Sequence, residues 1–289
     1  MKQLFFILSL SAAATCMAAK PEASKPFVTI TQKGGKTLGY SPTSGVKIIT
    51  VDGLKFKDLN RNGKLDKYED WRLPARERAI DLASQLSIEE IAGLMLYSAH
   101  QAIPANEQGF GAGTYNGKPL SKSGAKASDI SDAQQKKFLI NDYLRHVLIT
   151  TLQSPRIAAE WNNNVQALCE SIGHGIPANN SSDPRNGTTA NTEYNAGAGG
   201  AISLWPGQLG LAATFDPAVV KEFGQIASHE YRALGIATAL SPQIDIASEP
   251  RWSRVNGTFG EDTNLAIATD SNRARTIMEV GVCSVSMLW

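Results

Sequence analysis

Cysteine is scarce in this chain, with three in 289 residues, at positions 16, 169 and 283. So sparse a set excludes a disulfide-stapled scaffold and leaves either one Cys169 to Cys283 bridge or separate thiols. An excess of one charge sign is also missing, since 28 basic residues stand against 27 acidic ones for a net charge of +1. Such a balance gives no electrostatic reason to expect nucleic acid or an anionic membrane as partner. Histidine is limited to His100, His146, His174 and His229. These four lack metal-ligand spacing, so no catalytic metal is expected. A phosphate loop is lacking too, because GFGAGTYNGKP misplaces its first glycine and puts Pro119 where Ser or Thr would bind magnesium. No apolar run is long enough to serve as a transmembrane segment.

What is there begins with Lys2 and the apolar run Leu4 to Ala14, which is too short to span a bilayer and ends in small residues. This is the pattern of a secretory signal peptide, residues 1–18, cleaved after Ala18 with Cys16 as the small residue two positions before the cut. A lipid anchor on Cys16 fits less well, because Thr15 and Ala13 stand where such signals carry a small residue and a Leu. The chain is therefore expected to be secreted, into the periplasm. Residues 19–57 are rich in Pro, Lys, Thr and Gly, with β-prone pieces such as Phe27 to Thr31, and read as an arm or linker.

Residues 58–72 carry a specific local motif. Asp58, Asn60, Asn62, Gly63 and Glu69 fit D-x-[DN]-x-[DN]-G-x5-E, with Lys64 at the seventh position and Asp66 at the ninth, as in an EF-hand calcium loop. Oxygens at alternating positions converge on the ion, Gly63 permits the sharp turn, and Glu69 closes the shell. The competing reading is an Asx-rich turn that needs no ion. VKIITVDGLKF before it reads as strand and Pro74 interrupts the segment after it, so no paired helix-loop-helix is expected. A calcium ion here would be structural.

Residues 73–289 read as one α/β region. Ala79, Ile80, Ala83 and Leu86 share a helical face, and Ser87 to Glu90 is a capping box opening a second packing helix with Ile88, Ile91, Leu94 and Met95. The polar stretch from His100 to Asp132 reads as a long loop. A helix over Pro155 to Ile172 leads through glycines to a short apolar strand and the polar loop of Asp183 and Arg185. The same order returns further on. Asp216-Pro217 starts a helix, Gly235 ends it, Ile236 to Ile246 reads as a buried strand with Asp245 near its end, and a loop comes next with Glu249, Arg251, Trp252, Arg254, Glu261 and Asp262. Asp245 and Glu249 read equally well as structural ion-pair partners of Arg251 or Arg254. Two helix-strand-loop units in tandem favour a parallel sheet or barrel.

GIPANNSSDPRNG, LWPGQLGLAATFD, the ASHEYRALGI helix and SPQIDIASEPRWSRVNGTFGED together resemble glycoside hydrolase family 3, in register from about Leu73 to Asp262. ASQLSIEEIAGLM resembles the family's opening helices, and the calcium-like loop is similar to one in a subgroup of the family from gut-type bacteria. The resemblance implies the amino-terminal portion of a (β/α)8 TIM-type barrel, here incomplete, with about two strands. It implies retaining, exo-acting hydrolysis of β-linked glucoside or xyloside oligosaccharides, with no cofactor. Asp183 matches an acidic residue that binds sugar hydroxyls, and Arg254 a basic residue of the same pocket. Asn186-Gly187 departs from the family's usual His-Gly, and Ser253 from a common Gly. The Lys-His-Phe and Ser-Asp-Trp motifs, the second carrying the nucleophile, do not occur, and Asp70-Trp71 is no substitute. The reading is a truncated hydrolase without a catalytic residue of its own, inactive alone, and prone to self-association through exposed barrel edges. A non-catalytic sugar-binding protein and a calcium-binding surface module are the alternatives.

Overall fold

The computed structural model describes residues 27–132, 136–182, 186 and 202–269, and the backbone of 283–284. The arm is more regular than a linker. Strand β1 (Val28–Ile30) pairs antiparallel with β2 (Leu38–Tyr40), and β3 (Lys47–Val51) with β4 (Leu54–Asp58). Asp52 and Gly53 both take positive φ, 51° and 76°, which is the two-residue hairpin geometry that an Asp-Gly pair favours. The β-prone pieces of this segment thus find partners in each other.

Helices α1 (Ala75–Gln85) and α2 (Ile88–Leu94) come next, and the Ser87 to Glu90 capping box is complete, with both reciprocal hydrogen bonds present. Their packing differs from the expected face. Ile80 is 61% exposed, Ile88 81% and Met95 83%, while Arg78, Asp81, Leu82 and Gln85 are the half-buried side of α1. The inward side of α1 is set by polar contacts: Arg78 Nε donates to the Tyr68 carbonyl at 2.9 Å, and Asp81 accepts from Tyr68 N–H at 3.0 Å. Helical periodicity alone located the apolar stripe and could not say whether anything covers it.

Beyond these helices lies a parallel sheet of five strands in sequence order: β5 (Gln101–Ile103), β6 (His146–Leu152), β7 (Asn179–Ser182), β8 (Thr238–Ala239) and β9 (Cys283–Ser284). Five strands replace the two expected. β5 opens the stretch from His100 to Asp132, which also contains α3 (Leu120–Ser123), and α4 (Lys137–Ile140) precedes β6. Three residues of strand inside polar sequence leave too short a pattern to read. β7 lies on the polar NNSS and not on the apolar residues before it. Asn180, Ser181 and Ser182 are completely buried there. Their burial is made tolerable by hydrogen bonds such as Asn180 Nδ2 to Asn162 Oδ1 at 2.6 Å and Ser181 Oγ to the Val147 carbonyl at 3.0 Å. The expected strand over Ile236 to Ile246 shortens to Thr238 and Ala239 with a lone bridge residue at Gln243, and Pro242, which has no N–H to give to a ladder, lies between them.

α5 (Pro155–Ser171), α6 (Gln208–Ala212) and α7 (Pro217–Leu234) cover the sheet. α7 starts and stops where its sequence says: Asp216 Oδ1 accepts from Ala218 N–H at 2.8 Å, and Gly235 takes φ 83°. Val220, Phe223, Ala227, Tyr231 and Leu234 are buried at helical spacing and meet Trp161, Val165 and Cys169 of α5 in one core. Each large side chain buried this way contributes about 2–3 kcal/mol. Cys169 is a free thiol in that core, and burial pushes its pKa up to about 11. The side chain of Cys283 lies outside the described residues.

Gly235, at the end of α7, lies against Asn162 of α5. A Cβ there would sit 2.5 Å from the Asn162 side chain, which holds Asn180 of β7. Gly235→Ala is expected to cost about 2 kcal/mol or more, from left-handed strain and displacement of Asn162. Urea denaturation monitored by circular dichroism checks this as a lowered midpoint with an unchanged slope.

Candidate functional site

In a parallel sheet, the loops leaving the carboxyl ends of adjacent strands gather at one face. β7 and β8 are neighbours, so the loop after Ser182 and the segment after Ala239 leave the sheet side by side. Asp183 belongs to the first of these loops and lies outside the described residues, as does Arg185. The return of that loop is described at Asn186, which is 4% exposed with φ 46°. Asn186 is held on every polar atom of its side chain. Its Nδ2 donates to Glu230 Oε2 at 2.9 Å and to the Ser203 carbonyl at 3.2 Å, and its Oδ1 accepts from the Tyr231 hydroxyl at 2.8 Å. Glu230 in turn accepts from Ser203 N–H at 2.7 Å and from Ser203 Oγ at 2.8 Å. Trp205 N–H donates to the Asn186 carbonyl at 2.6 Å, and its ring packs on Phe223 at 5.3 Å.

From sequence, Asn186 stands out only as a departure from a family pattern, and Glu230 and Ser203 do not stand out at all. The signal available was a glutamate on the helix beside a tyrosine of its buried face. A charged residue there needs a partner.

After β8 several polar side chains are buried: Ser241 is 3% exposed, Gln243 7% and Asp245 8%, whereas Ile246 is 38% exposed. Both polar atoms of the Gln243 amide and the Ser182 hydroxyl are buried without a hydrogen-bond partner among the described residues. The next loop is closed at its base by Ala247 N–H to the Gly260 carbonyl at 3.0 Å. Successive turns link Trp252 to Glu249, Val255 to Trp252 and Gly257 to Arg254. Arg254 is half-buried at the start of the 3-10 turn Val255–Gly257. Trp252 is half-buried and lies outside the core cluster.

The remaining acids divide clearly. Glu249 and Arg251 form a two-pronged ion pair with both distances 2.8 Å. Arg251 holds the Glu249 carboxyl down to about 2, so at neutral pH it is ionised and has no proton to donate. Asp262 caps the helical residues 263–269 by accepting from Leu265 N–H at 2.8 Å. Asp70 is gripped by Arg72 at 2.8 and 2.9 Å, which holds its carboxyl below the usual range.

The EF-hand-like loop is far from these strand ends in the topology. Leu59 packs on Gly175 and Arg61 Nη2 donates to the Glu170 carbonyl at 2.9 Å, so the loop abuts the connection that enters β7 from α5. Within it, Gly63 takes φ 78°, Asn60 and Asn62 donate to Asp66 Oδ2 at 2.5 and 2.8 Å, and Glu69 accepts from the N–H groups of Leu59, Asn60 and Asp66. Burial raises the Glu69 carboxyl above its ordinary value despite those donors. Among the described residues no three His, Cys, Asp or Glu side chains are already gathered tightly enough to hold a metal ion.

A family model described as Glycosyl hydrolase family 3 N terminal domain matches residues 123–286, more than half of the chain. The chain is 44% identical over 225 residues to a periplasmic beta-glucosidase/beta-xylosidase of Dickeya chrysanthemi, covering 77% of this chain and 32% of that protein. It is 34% identical over 207 residues to a probable beta-glucosidase C of Aspergillus oryzae, covering 71% and 30%. The chain therefore spans about a third of the length of the curated relatives it matches. A solved β-glucosidase from Erythrobacter marinus superimposes with a TM-score of 0.55 at 19% identity, over 77% of this chain and 26% of that one. A family 3 β-N-acetylglucosaminidase from Paenibacillus gives 0.52 at 18%, over 71% and 33%. At such identities the likeness is one of fold, the TIM-barrel type of α/β architecture.

Asn186→Ala is expected to destabilise the chain by about 2 kcal/mol, because it strands the partners of a buried polar network. Glu230→Gln, which keeps acceptor and shape but brings a donor against Ser203 N–H, should cost less. Thermal melts of the two variants against the parent check both the size and the order.

Proposed function

The chain belongs to glycosyl hydrolase family 3, and from that membership we propose that its barrel segment binds the terminal sugar of a β-linked glucoside or xyloside undergoing retaining hydrolysis. One observation carries the assignment. β7 and β8 are hydrogen-bonded neighbours, and in sequence Asp183 comes directly after the first and Arg254 in the loop region beyond the second, which supports an acceptor for sugar hydroxyls and a donor to them on the strand-end side. The unpartnered Gln243 amide and Ser182 hydroxyl add polar capacity along the same strand ends. Hydrogen bonds of this kind that strengthen as the ring flattens towards the oxocarbenium ion favour the transition state.

Retention requires an attacking carboxylate and an acid about 5 Å apart. Neither Ser-Asp-Trp nor Lys-His-Phe occurs in these residues. Glu249, Asp262 and Asp70 are each committed to an arginine or a helix end, which makes them poor nucleophiles. None of these three is offered as the attacking carboxylate, and the part proposed for these residues is sugar recognition. The family's hydrolytic chemistry needs no cofactor. The leader pattern ending at Ala18, together with the name of the Dickeya relative, supports delivery to the periplasm. No helix among the described residues is long and apolar enough to cross a membrane. The exposed side chains of Ile80, Ile88 and Met95 support self-association of these residues when studied alone.

Calorimetry with glucose and with xylose tests the binding role. Arg254→Ala and Asp183→Ala are expected to weaken binding about tenfold or more, the loss that removing a charge-assisted hydrogen bond produces. Aryl β-glucosides should not be turned over by these 289 residues. Undiminished binding in both variants would sink the sugar pocket, and turnover would place a nucleophile within the chain.

A further inference from the structure

Asp58 closes β4 with its side chain completely buried. Its Oδ2 accepts from Gly63 N–H at 3.0 Å, across the loop, so the carboxylate faces into the turn. Its Oδ1 is buried with no hydrogen-bond partner among the described residues. A buried carboxylate oxygen left bare is costly, and the usual compensation is a paired charge or a metal. Among the described residues none of Asp58, Asp66 and Glu69 is in an ion pair. Two neighbouring cations, Lys57 and Arg61, are engaged elsewhere. Lys57 pairs with Glu170 at 2.8 Å, and Arg61 donates to the Ser44 and Glu170 carbonyls. Three carboxylates thus share one turn with no ion-paired cation among the described residues to balance them.

We propose that the loop from Asp58 to Glu69 is a calcium site that clamps the amino-terminal hairpins to the end of the barrel where strands begin. The ligands would be Asp58 Oδ1, the side-chain oxygens of Asn60, Asn62 and Asp66, the Lys64 carbonyl and the Glu69 carboxylate, a hard all-oxygen set suited to calcium. The loop already has the turn at Gly63 and the Asp58 hydrogen bond that such a site requires. Binding would draw Asp58, Asp66 and Glu69 closer together than they now stand, and the Asn60 and Asn62 amides, which now turn nitrogen towards Asp66, would rotate about their terminal bonds to exchange nitrogen for oxygen. The Glu69 oxygens keep lone pairs beyond those used by backbone N–H groups.

The ion's role is set by the surfaces the loop touches. On one side it continues β4. On the other, Tyr68 ties it to Asp81 and Arg78 of α1, and Leu59 and Arg61 press on Gly175 and Glu170 at the α5 to β7 connection. Features at that face of a barrel serve stability and not the reaction. The site rests on its own residues and stands apart from the glycosidase reading.

The test uses the full chain stripped with a chelator. Calcium titration by calorimetry should show one site per chain, with Kd in the range of about 10⁻⁵ to 10⁻³ M and weaker binding of magnesium. Melting should rise by several degrees on adding calcium in excess. Terbium should be sensitised by Tyr68 and Trp71 and displaced by calcium. Asp58→Asn and Glu69→Gln should each weaken binding tenfold or more, while Lys64→Ala, which leaves the carbonyl in place, should not. No heat, no sensitised emission and no melting shift in the parent overturn the proposal. So does binding that survives both carboxylate substitutions, since the ion then sits elsewhere. Should Asp58→Asn fail to fold, the parent titrations and Glu69→Gln decide.

Discussion

The contact between α7 and α5 over the parallel sheet is the constraint on which the rest of the chain depends. Their close approach depends on Gly235, where any side chain would strike Asn162. Asn162 in turn receives the Asn180 amide of β7 and so couples the helix pair to the centre of the sheet. From the same helix, Glu230 and Tyr231 reach the loop beyond β7 and fix Asn186. A single helix therefore positions both a strand and Asn186 beyond it.

This arrangement separates the two ends of the sheet chemically. Where strands end, buried amides and hydroxyls and a half-buried arginine line up beside a loop anchored by a charged network. Where strands begin, the hairpins and the acidic loop press against the glycine turn after α5. Polar groups at the first end keep unused hydrogen-bonding capacity, whereas those at the second are arranged around backbone N–H groups.

The polar strand β7 shows why the site was only partly legible. Asn180, Ser181 and Ser182 look like loop in a hydropathy pattern, yet they are the most buried part of their segment. Parallel strands inside a barrel are covered on both sides, and neighbouring helices and strands can satisfy polar side chains that water would otherwise claim. Glu249 and Arg251 were readable as an ion pair because they lie two residues apart. Asn186 and Glu230, 44 residues apart in hydrogen bond, were not.

Sequence by itself determined the local features: the Asp216 and Ser87 caps, the Gly235 terminus, the acidic loop and the family motifs. Each depends on neighbours within a few residues, so the order of residues is enough to specify it. Tertiary structure decided the face of α1 that turns inward, the number of strands, the place of β7 and the anchoring of the Asp183 loop. These depend on which distant groups come together, because burial and hydrogen bonding are decided by partners that sequence spacing does not reveal.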